Sequence, residues 1–268
     1  MNLLRRELKF QIPTSMVDDI SRFIAPYCDL DHYSSIMPDN YYVINSLYFD
    51  TASMLFLERK RLNMSGRFSM RLRSYGSEPK YPAFFEVKSK INQWVHKKRG
   101  PISSPATVEF LREGTGGMGN KDLNNPYLRE ICAELIQKNI TPKLMTNYER
   151  KAYFGKFEPY SRVTFDRRMR CYPETGYNIF PDNSKFANYD HDNQYSAEGS
   201  EVVLELKCET KVPDWMFAMV QHFELKHEQF SKFDSSFTFQ NDFQYKSEAF
   251  SMAPGLLSNS KYSASDFF

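Results

Sequence analysis

Arg67-Phe68-Ser69-Met70-Arg71-Leu72-Arg73-Ser74 alternates basic or polar residues with apolar ones. A strand sends every second side chain to the same face. Arg67, Ser69, Arg71 and Arg73 therefore share one face, and Phe68, Met70 and Leu72 share the other. Residues 83–90 repeat the habit, with Phe84, Glu86, Lys88 and Lys90 against Phe85, Val87 and Ser89. Residues 201–209 repeat it again, with Val203, Glu205, Lys207 and Glu209 against Val202, Leu204, Leu206 and Cys208. Each strand has one apolar face and one charged face.

The same period extends outward. Residues 5–12 set Arg6, Leu8, Phe10 and Ile12 against Arg5, Glu7, Lys9 and Gln11. Residues 41–49 are β-branched and aromatic, which predicts a strand. Two more strands are expected over 142–154 and 161–171. In the second, Arg162, Thr164, Asp166 and Arg168 oppose Val163, Phe165 and Arg167. Helical spacing of apolar residues predicts helices over 14–27, 51–61, 125–138 and 214–225. Pro13 and Pro126 open two of them. Residues 114–125 and the acidic stretch 174–200 read as loops. The Gly-rich part of the first lacks the Gly-Lys-Ser/Thr ending of a phosphate loop. The Ser-rich stretch 247–268 reads as a mobile tail. Nothing divides two independent cores, so residues 1–246 are expected to form one domain.

The whole chain of 268 residues carries a net charge of only +2. Residues 59–100 alone hold twelve basic and two acidic residues, a local excess of +10. Such asymmetry marks an anion site despite the neutral total. Cys28, Cys132, Cys171 and Cys208 form no metal or disulfide spacing, and the five histidines are scattered. Reduced cysteines fit a cytoplasmic protein. No apolar run is long enough for a membrane helix, and no secretory signal opens the chain.

The fold class expected is α+β with a mainly antiparallel sheet. An open sheet would leave the charged face in water. A closed β-barrel would put it in a charged lumen, with the apolar outside covered by helices. Small barrels ordinarily fill with apolar side chains, so a charged lumen implies water and a bound polyion. Glu7, Glu86 and Glu205 among the cations favour the barrel. Carboxylates beside many basic groups suit a divalent metal bridging phosphates.

Taken in order, Glu7-Leu8-Lys9-Phe10, Arg71-Leu72-Arg73, Phe85-Glu86-Val87-Lys88, Lys97-Lys98, Tyr148-Glu149-Arg150, Arg162-Val163-Thr164-Phe165-Asp166, Leu204-Glu205-Leu206-Lys207 and Phe230-Ser231-Lys232-Phe233 resemble the VTC domain. This is the polyphosphate polymerase domain of the vacuolar transporter chaperone family, among the triphosphate tunnel metalloenzymes. The resemblance runs from about residue 5 to residue 240. It implies that Lys9, Arg71, Arg73, Lys88, Arg150, Arg162 and Lys232 bind phosphate at the catalytic centre. It implies that Glu205 binds metal, with Glu7 or Glu86 assisting. Lys207 and one of Lys97 and Lys98 complete the nucleotide site. The cofactor expected is Mn²⁺ or Mg²⁺, with ATP as substrate and polyphosphate as product. Tunnel hydrolases often begin Glu-x-Glu-x-Lys, whereas Arg5 replaces the first glutamate here. Gln229 stands where the family carries a basic residue, with Lys226 nearby.

The function expected is transfer of the γ-phosphate of ATP onto a growing polyphosphate chain. A tunnel phosphohydrolase and a non-catalytic polyphosphate sensor are the alternatives. Nucleic acid is not an expected partner, because no RNP-like aromatic motif accompanies the basic strands. Relatives work beside membrane proteins, so export of product would fall to a membrane partner subunit. The bland rivals are a Glu205–Lys207 cross-strand ladder, a solvated Arg71/Arg73 face, and pairing of Arg150 and Arg162 with Glu149 and Asp166. Lys90, Arg167, Arg168 and Arg170 read as surface positions, and Trp94 as a core residue.

Overall fold

The computed structural model describes residues 6–91, 94–113, 121–158, 160–190, 201–209 and 211–252. The elements run β1 (Arg6–Ile12), α1 (Met16–Ile24), β2 (Cys28–Leu30), α2 (His32–Ser35), β3 (Tyr42–Asp50) and α3 (Leu55–Arg61). They continue with β4 (Arg67–Tyr75), β5 (Ala83–Ile91), β6 (Trp94–Ile102), α4 (Pro105–Glu113), α5 (Pro126–Gln137), β7 (Thr141–Gly155) and β8 (Ser161–Pro173). The last are β9 (Ala187–Asn188), β10 (Val202–Cys208), α6 (Asp214–His222) and α7 (Lys232–Met252).

All pairings are antiparallel, in one sheet of order β1-β10-β8-β7-β3-β4-β5-β6. The short β2 adds to β7, and β9 adds to β8. The expected loop over 174–200 thus contains a strand in its described part. The Gly-rich stretch 114–120 and residues 253–268 lie outside the described residues. Of the expected tail, 247–252 belong to α7.

The sheet is rolled. From β1 to β5 there are six strand-to-strand steps, or about 29 Å if the sheet were flat at ~4.8 Å each. Yet Lys88 Nζ on β5 lies 3.0 Å from Glu7 Oε2 on β1. The expected closed barrel is nonetheless not formed, because the edge strands β1 and β6 do not pair. The outer edge of β1 is engaged elsewhere. Glu228 N donates to Lys9 O at 2.9 Å, and Phe10 bridges His227.

Helices cover the apolar outer face in two patches, as the alternation requires. Leu128, Ile131, Cys132 and Leu135 of α5 pack on Met70, Leu72, Phe85 and Val87. Asn125 caps that helix by accepting from Tyr127 N and Leu128 N. Ile20 and Ile24 of α1 and Met216 and Met219 of α6 pack on Phe10, Val163, Phe165, Leu204 and Leu206. The third cluster lies on the inner face, where Tyr48, Leu144, Tyr148 and Cys171 meet Phe230 and Phe233 at the start of α7. The inner face is therefore half apolar and half charged. All four cysteines are free and buried.

One strand breaks its expected phase. Arg168 has φ +53°, and the register of β7 against β8 shifts between Asn147 and Glu149. A bulge of this kind moves the following side chains to the other face. Arg168 consequently leaves the Arg162–Asp166 row and pairs outside with Glu149 at 3.0 Å, while Met169 joins the inner cluster.

Gly100 on β6 tests the outer packing. A Cβ there would stand 2.9 Å from Leu128 Cβ and 3.3 Å from its Cα. Gly100→Ala is expected to lower stability by about 1–3 kcal/mol through overpacking against α5. Urea denaturation of both proteins measures it.

Candidate functional site: a paired-charge inner face

Cross-strand register assembles the site row by row. Tyr48, Arg71, Glu86 and Arg99 lie opposite one another across β3, β4, β5 and β6. Lys88 lies opposite Lys97. On the far side, Lys9, Glu205 and Thr164 form one row of β1, β10 and β8. Glu7, Lys207 and Arg162 form the next. Arg150 lies opposite Asp166. The Glu7–Lys88 ion pair joins the two halves across the open seam.

Four carboxylates organise the cations. Glu86 is buried and faces Arg71 at 2.8 Å, Lys97 at 3.0 Å, Arg99 at 3.5 Å and Arg73 at 3.8 Å. Asp166 takes both guanidinium nitrogens of Arg150 at 2.7 Å and Lys232 at 2.6 Å. Glu205 meets Lys207 at 3.3 Å, Arg150 at 3.6 Å and Lys9 at 3.9 Å. Glu7 meets Lys88 at 3.0 Å, Lys9 at 3.2 Å and Lys207 at 3.9 Å. Nine basic groups thus face four acids, so the face carries a net positive surplus.

Burial opposes the charged forms of Glu86, Asp166, Glu205, Lys9, Lys97 and Lys207, so their neighbours decide. Around Glu86, Arg71, Arg73 and Lys97 outweigh burial and hold the carboxyl well below the usual range. Arg150 and Lys232 do the same for Asp166, which falls to about 2. At Glu205, Lys207, Lys9 and Arg150 outweigh burial and keep the carboxylate ionised. Burial lowers Lys97 and Lys207, with Glu86 and Glu205 opposing incompletely. At Lys9 the carboxylates Glu205 and Glu7 win over burial, and the ammonium titrates above its ordinary value.

Two buried tyrosines orient guanidiniums from the apolar half. Tyr48 accepts from Arg71 Nη1 and Tyr148 from Arg73 Nη2, both at 3.4 Å. Lys232 sits 4.6 Å above the Tyr148 ring.

The expected residues are brought together with four qualifications. Lys97 faces Glu86, whereas Lys98 points outward to Glu130 on α5. Alternation separates neighbours, so only Lys97 joins the site. Arg162 lies in the Lys207 row but pairs with buried Asp31 at 3.3 Å. Glu86 shares no cation with Glu205 or Glu7, so the three expected metal carboxylates do not form one cluster. Gln229 is exposed, as is Lys226. Arg99, Asp166, Tyr48 and Tyr148 are the additional members. Asp166 stands four residues beyond Arg162, so period 2 already placed it on this face, whereas the stretch carrying Arg99 does not read as a strand.

Among the described residues, no group of three or more His, Cys, Asp or Glu is arranged to hold a metal ion. Glu205 and Glu7, however, share Lys9 and Lys207. Two hard oxygen donors completed by phosphate oxygens suit Mg²⁺ or Mn²⁺ rather than zinc.

Residues 4–239 match the family described as VTC domain. The chain belongs to the VTC domain family. No curated protein matches it. Among solved structures, this VTC domain is similar to a candidate adenylate cyclase from Bacillus halodurans, at 11% identity over 86% of this chain and 96% of that one, with a TM-score of 0.44. A Pyrococcus horikoshii protein aligns at 10% identity over 89% and 99%, with a TM-score of 0.45. A candidate adenylyl cyclase from Hippeastrum, described with a dominant triphosphatase activity, aligns at 11% over 87% and 95%, with a TM-score of 0.43. Below a TM-score of 0.5 these likenesses assign neither fold nor activity to the VTC domain described here.

Asp166 provides a pH signature for the site. Its folded pKa of about 2 lies below the ~3.9 of an unfolded aspartate, a difference worth on the order of 2–3 kcal/mol. That stability is fully present above pH ~4 and is lost as pH falls through about 2. Asp166→Asn is expected to be less stable at pH 7 and to lose less on acidification. Denaturant midpoints between pH 7 and pH 2 check both signs.

Proposed function

We propose that this VTC domain is a metal-dependent polyphosphate polymerase. In this reading it moves the γ-phosphoryl group of ATP onto a growing chain held against the charged inner face. The observation that carries the reading is the surplus of nine basic groups over four carboxylates on one rolled face. A triphosphate brings several charges, and it neutralises that surplus.

Phosphoryl transfer is mainly positioning and charge neutralisation. The terminal phosphate of a chain is already ionised, so no strong general base is needed. The described histidines lie away from the inner-face contacts: His32 opens α2, His222 ends α6, His227 packs on Phe10, and His96 is exposed. The chain-end oxygen forms a bond to the γ-phosphorus as the bridging β–γ bond breaks, and ADP leaves with that electron pair. Arg71 and Arg73 supply bidentate forks. Lys9, Lys88, Lys97, Lys207 and Lys232 act as point charges, with Arg150 held in line by Asp166. Glu205 and Glu7 are the residues that would hold Mg²⁺ or Mn²⁺, which supplies charge neutralisation at the phosphates. The rolled sheet is the tunnel in this reading, with its seam bridged by side chains. Among the described residues no helix is long and apolar enough to cross a membrane. In this reading, passing a chain across one falls to a partner subunit.

The test is product size. Purified protein is incubated with ATP and Mn²⁺, and the products are resolved on a gel. Long chains with ADP are expected. Inorganic phosphate alone would mean a hydrolase, and tight binding without turnover a sensor, the outcome that Gln229 would explain. Glu205→Gln is expected to abolish metal-dependent turnover while Arg71→Ala weakens triphosphate binding at least tenfold. Unchanged turnover in Glu205→Gln would remove its metal role.

A further inference from the structure

The outer side of the sheet carries a cavity of its own, away from the paired charges. It measures about 910 Å³ and opens among three connections at one end of the sheet. Tyr27 follows α1, while Phe157, Glu158 and Tyr160 belong to the turn between β7 and β8. Glu209 and Lys211 lie between β10 and α6, and Asp214 and Trp215 open that helix. Alternation along residues 201–209 sets Glu209 in phase with Glu205 and Lys207. The strand β10 ends at Cys208, however, and Glu209 lines this cavity instead.

The walls are held in place by the chain itself. A Cβ on Gly155 would fall 1.7 Å from Ser161 Oγ and 2.7 Å from Glu158 Oε2, so glycine lets the turn fold back this closely. Glu158 Oε2 accepts from Ser161 Oγ at 3.0 Å, and its Oε1 accepts from Trp215 Nε1 at 2.7 Å. Trp215 stacks on Tyr27 with ring centres 5.5 Å apart and planes 5° apart. Lys156 N donates to Tyr27 O at 2.9 Å, which ties the turn to the end of α1.

Charge and ring chemistry select the occupant. Three carboxylates, Glu158, Glu209 and Asp214, face one ammonium, Lys211, so the cavity is negative where the inner face is positive. None of these four makes an ion pair among the described residues. Tyr27, Phe157, Tyr160 and Trp215 supply the rest of the wall. Aromatic faces attract an alkylammonium or guanidinium group, most strongly at tryptophan. A hard metal ion would need oxygen on every side, and a phosphate would be repelled by the carboxylates.

Size and rim point to a peptide rather than a free cation. Cavities of ~300–1,000 Å³ enclose whole small ligands, so a single ammonium group would leave most of this one empty. Phe157 at the rim is 75% exposed, and Phe217, next to the lining residue Ala218, is 59% exposed. Exposed aromatic residues beside a concave site are what a protein interface covers.

We propose that this cavity is a docking site for a basic segment of a partner protein. The segment inserts a lysine or arginine side chain among the aromatic rings, beside Glu158 and Asp214. Docking there leaves the inner face open, and the proposal does not depend on the polymerase reading.

Peptide binding tests it. Fluorescein-labelled oligolysine and oligoglutamine of equal length are titrated with the full chain and followed by fluorescence anisotropy, with free lysine amide as competitor. Oligolysine is expected to bind at least tenfold more tightly than oligoglutamine, and lysine amide to displace it only at far higher concentration. Glu158→Gln/Asp214→Asn is expected to lose at least tenfold in oligolysine affinity, and Phe157→Ala at least threefold. Tripolyphosphate affinity stays within twofold in both. Glu109→Gln/Glu113→Gln on α4, beside the other outer cluster, is expected to bind oligolysine as the wild type does. Thermal melting confirms that each variant is folded, and the exposed position of Phe157 keeps the test open should the double variant not fold. A wild type that ignores oligolysine, cavity variants that bind it unchanged, or an equal loss in the α4 variant overturns the site. Lysine amide binding as tightly as the peptide overturns the peptide as its occupant.

Discussion

The charges on the inner face must be compensated before the sheet can roll around them. A guanidinium or ammonium group moved out of water without a partner costs several kcal/mol. Rolling β1 toward β5 brings nine such groups together, and their repulsion would keep the sheet flat. Glu86 holds four of them, and Asp166, Glu205 and Glu7 hold the rest. The apolar outer face supplies the driving force by burying Leu72, Phe85, Val163, Phe165 and Leu204 under helices. The curvature is a balance between the two faces.

In the polymerase reading, that balance also prepares the site for its ligand. Each cation is already fixed near a carboxylate, so little side-chain entropy remains to be lost when phosphate oxygens arrive. Tyr48 and Tyr148 add stiffness from the apolar sector, where Phe233 stacks on Tyr48 with ring centres 4.9 Å apart. The carboxylates are not competitors alone. Their number is too small to neutralise the face, which in the polymerase reading leaves the polyanion its share of the electrostatic gain.

Much of this was legible in period-2 alternation. It placed β1, β4, β5, β8 and β10 and put Lys9, Arg71, Arg73, Lys88, Glu205 and Lys207 on one face. Local pattern does not carry long-range register, however. Nothing near Glu7 reports that it meets Lys88, which is 81 residues away. Closure into a barrel was expected because alternation is silent about strand edges; the edge of β1 is engaged by the backbone at His227 and Glu228. Bare alternation would set Arg168 in the Arg162–Asp166 row, but a positive φ resets the count and leaves it at the surface position expected of it. The strand β6 went unread because Lys97-Lys98-Arg99 looks like a charge run, and α7 because its start packs on the inside of the sheet.

The seam gives the enclosure an unusual doorway. A cylinder sewn shut by backbone hydrogen bonds admits a long polymer only end-on, one unit at a time. Here a join between the two halves is a lysine–glutamate contact, with the Lys88 side chain half exposed to water. In the proposed polymerase reading, a phosphate that takes Lys88 from Glu7 removes that contact as it binds. In that reading a chain can be laid against the face along its length, like thread into a slotted needle.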